Sequence, residues 1–125
     1  MTSICVAGAS KEIERAKHVI ACCRELGLEI TMDWTKDIET ARANGFATDA
    51  DCPQSVRLNA ARADFNGVVN ADIFLLLVPA KTSPSLGSWI ELGIAITLNA
   101  ASRDLDDNDD LTSYGTPRII VSSAV

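Results

Sequence analysis

This chain is poor in the residues that usually announce a function. It has one histidine, one tyrosine, two tryptophans and three phenylalanines among 125 residues, so no catalytic set or metal site built on several imidazoles can be assembled from it. Its four cysteines, Cys5, Cys22, Cys23 and Cys52, form no C-x-x-C pair and no zinc spacing. Their expected role is that of reduced, buried small hydrophobes. No apolar run approaches the roughly 20 residues that span a bilayer, and residues 1–3 lead directly into a strand-like run rather than a signal peptide. Basic residues are outnumbered, 11 Lys and Arg against 17 Asp and Glu, for a net charge of -6. A surface of that sign repels phosphate backbones and argues against nucleic acid polymers as partners, although a small phosphorylated ligand needs only a few local donors. The expectation is a cytoplasmic protein with one domain over residues 1–125, no membrane segment, no metal and no cofactor.

What remains is 47% apolar residues arranged in an alternating order. Ile4, Cys5, Val6 and Ala7 form a short apolar run that stops at Gly8, and residues 11–26 repeat apolar positions at helical spacing before Gly27 closes them. A second strand is expected over 28–32, ending in Asp33 and Trp34. Residues 36–51 mix charges with little periodicity and read as a loop with one helical turn. Asp51 as N-cap and Pro53 as the first helical residue open a helix to about residue 70. The run 73–79 is the most apolar stretch in the chain and reads as a central strand buried on both faces. A polar loop over 81–88 and a helix over 89–101 follow, the helix so apolar that it is expected to be largely buried. Five aspartates between 104 and 110 do not make a calcium loop, because Asp109 stands where that loop needs glycine. The last strand is expected over 118–121.

Strands alternating with helices define an α/β fold: doubly wound, a flavodoxin/Rossmann-like three-layer sandwich with a parallel sheet of four to five strands. In such folds ligands bind at the carboxyl edge of the sheet. Gly8 and Ser10, Asp33 and Trp34, Ser85 and Gly87, and Glu91 all fall at that edge. Glu91 is the only charged residue between 82 and 102. Two readings of it are open. Ser88 and Glu91 have the spacing of a helix capping box, or Glu91 is a reactive carboxylate held where a ligand sits.

The order of these segments resembles a known family. The early Ala-Gly-Ala-Ser at 7–10, Asp33-Trp34-Thr35, Asp64 eight residues before Asp72, Pro84-Ser85-Leu86-Gly87 and Glu91-Leu92-Gly93 are similar to the nucleoside 2-deoxyribosyltransferases, including their branch of 2'-deoxynucleoside 5'-monophosphate N-glycosidases. The resemblance implies an enzyme that cleaves or transfers the N-glycosidic bond of a (deoxy)nucleoside or its 5'-monophosphate. It makes Glu91 the nucleophile that forms a covalent glycosyl-enzyme intermediate, by the logic of retaining glycosidases. Asp64 would orient the sugar or assist the leaving base, and Asp72 would be structural. Ser85 stands where the monophosphate branch uses serine for the phosphate, with Gly8, Ser10 and Gly87 supplying backbone close to the ligand. That branch carries arginine in its first loop, where this chain has Lys11. The resemblance also implies a homo-oligomer, a dimer or larger. A non-catalytic nucleotide-binding or sensing module of the same fold is the alternative.

Overall fold

The structure, a computed structural model, describes residues 1–46, 51–79, 86–103 and 117–122. Strand β1 (Ser3–Ala7) is followed by a 3-10 turn (Ser10–Glu12) and helix α1 (Ile13–Glu25). Strand β2 (Glu29–Ile30), helix α2 (Trp34–Ala43), helix α3 (Gln54–Val69), strand β3 (Ile73–Leu77), helix α4 (Leu86–Arg103) and strand β4 (Arg118–Ser122) complete the order. The four strands pair in parallel as β2-β1-β3-β4. This is the α/β, Rossmann-like sheet expected from the alternation of elements, and the two most apolar strands occupy its centre.

Period-two alternation in β1 and β3 divides the core between the two faces. Cys5, Ala7, Phe74 and Leu76 pack with Val68 of α3 and Ala95 of α4. Ile4, Val6 and Leu77 pack on the other face with Ala16, Ile20 and Cys23 of α1, and Trp34 joins from α2. Helices therefore cover both sides of one sheet. The start of the central pair is tied by polar bonds: the Ser3 amide donates to Asp72 Oδ2 at 2.9 Å, and the Asp72 amide donates to Ser3 Oγ at 3.0 Å. Asp72 is accordingly a register clamp. At the opposite end Arg15 of α1 donates to the Val78 carbonyl at 2.6 Å and to Ser122 Oγ at 3.3 Å, which gathers the carboxyl ends of β3 and β4.

Several boundaries depart from the sequence reading. Residues 36–51 contain most of a ten-residue helix, α2, because Asp33 caps it: the Asp33 carboxylate accepts from the Thr35 amide at 3.2 Å and from the Thr35 hydroxyl. The helix buries only Thr35 fully, so apolar periodicity does not reveal it. α3 begins at Gln54 with Pro53 at the N-cap position, which displaces Asp51 from the capping role. Only Glu29 and Ile30 of the expected 28–32 strand pair with β1. Two of the four cysteines, Cys5 and Cys23, are buried, whereas Cys22 and Cys52 are half-exposed. α4 is not a buried helix; Trp89, Ile90 and Ile96 are exposed along its outer face, while Ala95 and Leu92 face the sheet. The expected phosphate-loop residue Ser85 and the aspartates between 104 and 110 lie outside the described residues.

α3 approaches the segment after β2 very closely. A Cβ on Gly67 would stand 2.7 Å from Met32 Cβ, and Thr31 Oγ1 donates to the Gly67 carbonyl at 2.7 Å. Gly67→Ala would gain about 1 kcal/mol of helix propensity. It would also drive Cβ against a Cβ fixed to backbone, an overpacking that costs about 1–3 kcal/mol or more. The variant is expected to be less stable than the parent, with a lower urea midpoint at an unchanged slope; equal or greater stability would show that the two segments can separate freely.

Candidate functional site

A cleft of about 450 Å³ opens at the carboxyl edge of the sheet, where β1 gives way to Gly8 and Ser10. One wall is Met32 with Trp34, Asp37 and Ile38 at the start of α2. The facing wall is α3, which presents Arg57, Ala60, Ala61 and Asp64. These positions recur at three- and four-residue intervals and so share one helix face. The first turns of α4 close the cleft with Leu86, Gly87, Ser88 and Glu91. The switch in strand order between β1 and β3 opens this space, as expected for a parallel sheet whose crossovers run to opposite faces.

Glu91 is half-buried in this cleft. Burial first, and the negative charge of Asp64 second, push its carboxyl group up to about 8. The protonated acid is therefore the form present at neutral pH. Cys5 of β1 lies within reach of both charges: its thiol is pushed up to about 12 by burial and then by Glu91, with a hydrogen bond from Thr31 opposing. Cys5 is thus inert packing near the carboxyl pair rather than a nucleophile.

The capping-box reading of Ser88 and Glu91 does not hold. α4 already begins at Leu86, so Ser88 lies inside the first turn. It is buried, and its hydroxyl donates to the Gly8 carbonyl at 3.3 Å. That bond ties the N-terminus of α4 to the end of β1.

Of the residues picked out in sequence, the structure brings Gly8, Ser10, Trp34, Asp64, Gly87 and Glu91 around one cleft. Trp34 is fixed there because its indole N–H donates to the Val6 carbonyl at 2.8 Å. Asp33 is not part of the lining. Burial, which raises its pKa, is outweighed by hydrogen bonds from Thr35 and Arg24, the latter also an ion pair at 3.2 Å, and the carboxyl group is held below its ordinary value. Lys11 is likewise outside the lining. Arg57 enters the site without a sequence signal, because periodicity places it on a helix face beside Asp64 but does not say that this face borders a cleft. Among the described residues no group of three or more His, Cys, Asp or Glu is placed to hold a metal ion, and no helix is long and apolar enough to cross a membrane.

No protein-family model and no curated protein matches the chain. Among solved structures it is similar to the CMP N-glycosidase BcmB of Clostridium botulinum, with a TM-score of 0.50 and 17% sequence identity over 97% of this chain and 88% of that one. At this identity the likeness establishes the fold, a Rossmann-like α/β sandwich.

Holding a carboxylate in a site that raises its pKa destabilises the folded state when that group ionises. Between the unfolded value of about 4.5 and the folded value of about 8 the native state binds the extra proton, so stability falls as pH rises through this window. Glu91→Gln removes the ionisation. The variant is expected to melt higher than the parent at pH 8.5, by a larger margin than at pH 5, the difference being on the order of a few kcal/mol. Equal margins at both pH values would remove the burial account of this residue.

Proposed function

We propose that the protein cleaves the N-glycosidic bond of a nucleoside or nucleoside 5'-monophosphate, with Glu91 as nucleophile. The observation that carries this reading is the pair of carboxyl groups, Glu91 and Asp64, brought from two helices into one cleft at the ligand edge of the sheet. Such a pair fits bond cleavage at an anomeric carbon, where one group captures an oxocarbenium-like centre and the other manages the leaving group's proton. The family resemblance of the motifs around Asp64 and Glu91, and the fold shared with a CMP N-glycosidase, support the same chemistry.

The step begins with one proton on the pair, held by Glu91. As the ligand fills the cleft, that proton passes by way of Asp64 to the departing base. The freed Glu91 carboxylate then bonds to the anomeric carbon as the bond from carbon to base nitrogen breaks, and the bonding electrons leave with the base. Water, or a second base, attacks the same carbon and returns the electrons to Glu91. An incoming water loses its proton to Asp64. Trp34 and Ile38 supply an apolar wall for a flat ring, the usual use of aromatic surface in a binding cleft.

Glu91→Gln and Glu91→Ala are expected to lower base release by at least about 10³-fold while the fold persists. Asp64→Asn should cost about 10²- to 10⁴-fold. Because the reaction needs the proton held by Glu91, kcat/KM for the parent is expected to fall as pH rises above about 8; a rise through pH 8 would contradict the assignment. Base release without an added acceptor base identifies a hydrolase, and release only with one identifies a transferase. Retention of full activity by Glu91→Ala would end the proposal, and ligand binding with no release of base favours a sensing module.

The same reading includes a homo-oligomer, and α4 supplies a surface for it. Trp89, Ile90 and Ile96 are 53%, 56% and 51% exposed, and at 100° per residue they form one stripe centred on Gly93. A Cβ on Gly93 would meet nothing within 4 Å, so a second helix can approach closely there. The stripe carries no charge, which lets two copies of an anionic chain meet without like charges in contact. Sedimentation of the parent is expected to give a dimer or larger species at micromolar concentration, reduced to monomer by Trp89→Glu; a monomeric parent would overturn this.

A further inference from the structure

The sheet has two edges, and they are unlike. β2 contributes only Glu29 and Ile30, and a short edge that carries a charge resists pairing with another chain. β4 forms the other edge, and among the described residues it pairs with β3 alone. After Arg118 it reads Ile-Ile-Val-Ser, with no charge. Ile120 and Val121 are exposed, although the strands of a parallel sheet are ordinarily covered on both faces. The free edge has a definite pattern of donors and acceptors. The Arg118 amide donates to the Asp72 carbonyl at 2.9 Å, and the Ser122 carbonyl accepts from the Val78 amide at 3.3 Å, so residues 118, 120 and 122 turn their backbone groups toward β3. By the two-residue period of a strand, the N–H and C=O groups of Ile119 and Val121 point away from the sheet.

That pattern is its own complement. Two copies of β4 placed antiparallel about Ile120 set Ile119 opposite Val121, and each such pair exchanges both of its hydrogen bonds. Every outward group of residues 118–122 is then used on both strands, and no other two-fold register pairs all of them within the strand. Ile120 faces its own copy as a close, non-hydrogen-bonded pair. Arg118 faces Ser122 rather than a second arginine, and the Arg15 that bonds Ser122 is itself paired with Glu12. The helix above the edge agrees with this placing. α4 packs on both β3 and β4, and Asn99 Nδ2 donates to the Pro117 carbonyl at 3.1 Å, which turns that side of α4 toward the β4 edge. Ile96 and Trp89 lie on the same side, further outward, and are exposed there. Two such helices related by the two-fold stand two strand spacings apart, about 10 Å, which is a distance at which helices pack. We propose that β4 pairs antiparallel with β4 of a second copy about Ile120, giving a homodimer with one continuous eight-stranded sheet and its two α4 helices side by side on one face. The proposal rests on the reading of the protein as a homo-oligomer, which it supplies with a register, and it is independent of the chemistry proposed for the cleft.

Sedimentation, circular dichroism and disulfide trapping test the pairing. Val121→Pro removes an outward N–H and no bond to β3, a substitution that an edge strand accepts. It is expected to sediment at half the mass of the parent and to keep the parent's far-ultraviolet spectrum. Trapping uses a Cys22→Ser, Cys52→Ser background, which lacks the two half-exposed thiols. There Ile120→Cys is expected to give a disulfide-linked dimer on mild oxidation, because the close pair brings the two Cβ atoms within disulfide reach. Arg118→Cys should not link, since the two copies of residue 118 stand about 14 Å apart along the strands. The proposal is overturned if Ile120→Cys does not link, if Arg118→Cys links as readily, or if a folded Val121→Pro remains dimeric. Should Val121→Pro lose the parent's spectrum, the two cysteine variants decide alone. A dimer that Trp89→Glu dissociates but that fails these tests leaves the homo-oligomer reading standing and removes the paired sheet; a monomeric parent removes both.

Discussion

The pairing of β1 with β3 is the constraint on which the rest of the molecule depends. Ile4 lies opposite Ile73, Cys5 opposite Phe74 and Ala7 opposite Leu76, and the alternation along both strands sends each set to its own layer of helices. A slip of one residue would turn every one of these side chains to the wrong face. The Ser3–Asp72 bonds stand at the start of this pair, where a slip would begin. At the other end, the same register brings Gly8 beside the first turn of α4, where the Ser88 hydroxyl reaches its carbonyl. The position of Glu91 thus follows from a strand register fixed at the far edge of the sheet.

Folding and the chemistry proposed for Glu91 pull in different directions. The helix that carries it would be more stable with an apolar or amide side chain there, since burial and Asp64 both disfavour its charge. The surroundings do little to relieve this: Cys5 near it is a poor donor kept neutral by burial, and Ser88 is turned toward Gly8. Such local conflict between stability and chemistry is characteristic of reactive groups. Asp33 makes the contrast. It too is a carboxylate near the edge of the sheet, but with Thr35 and Arg24 as partners its charge is favoured, and it stabilises the start of α2.

Most of the architecture is legible in the sequence because β1, β3 and α1 carry strong apolar periodicity. The placing of Glu91 and Asp64 is legible through motif spacing and resemblance, and both line the cleft. Other features depend on which face of an element is covered, which a single sequence does not state. The residues of α2 read as a loop because a helix with one buried residue has little apolar pattern. Those of α4 read as buried because apolar residues surround the axis, yet several of them face outward. Arg57 belongs to the same group: its position on α3 is legible, while the cleft it borders is made by three other segments.

The two tryptophans are divided between these two kinds of surface. Trp34 is fixed in the cleft wall by its bond to Val6, and Trp89 stands in the outward stripe of α4. With no third indole in the chain, replacing either one by phenylalanine leaves a single tryptophan emitter. The protein then carries its own optical label, one version reading the interior of the cleft and the other reading the outside of the helix that bears Glu91.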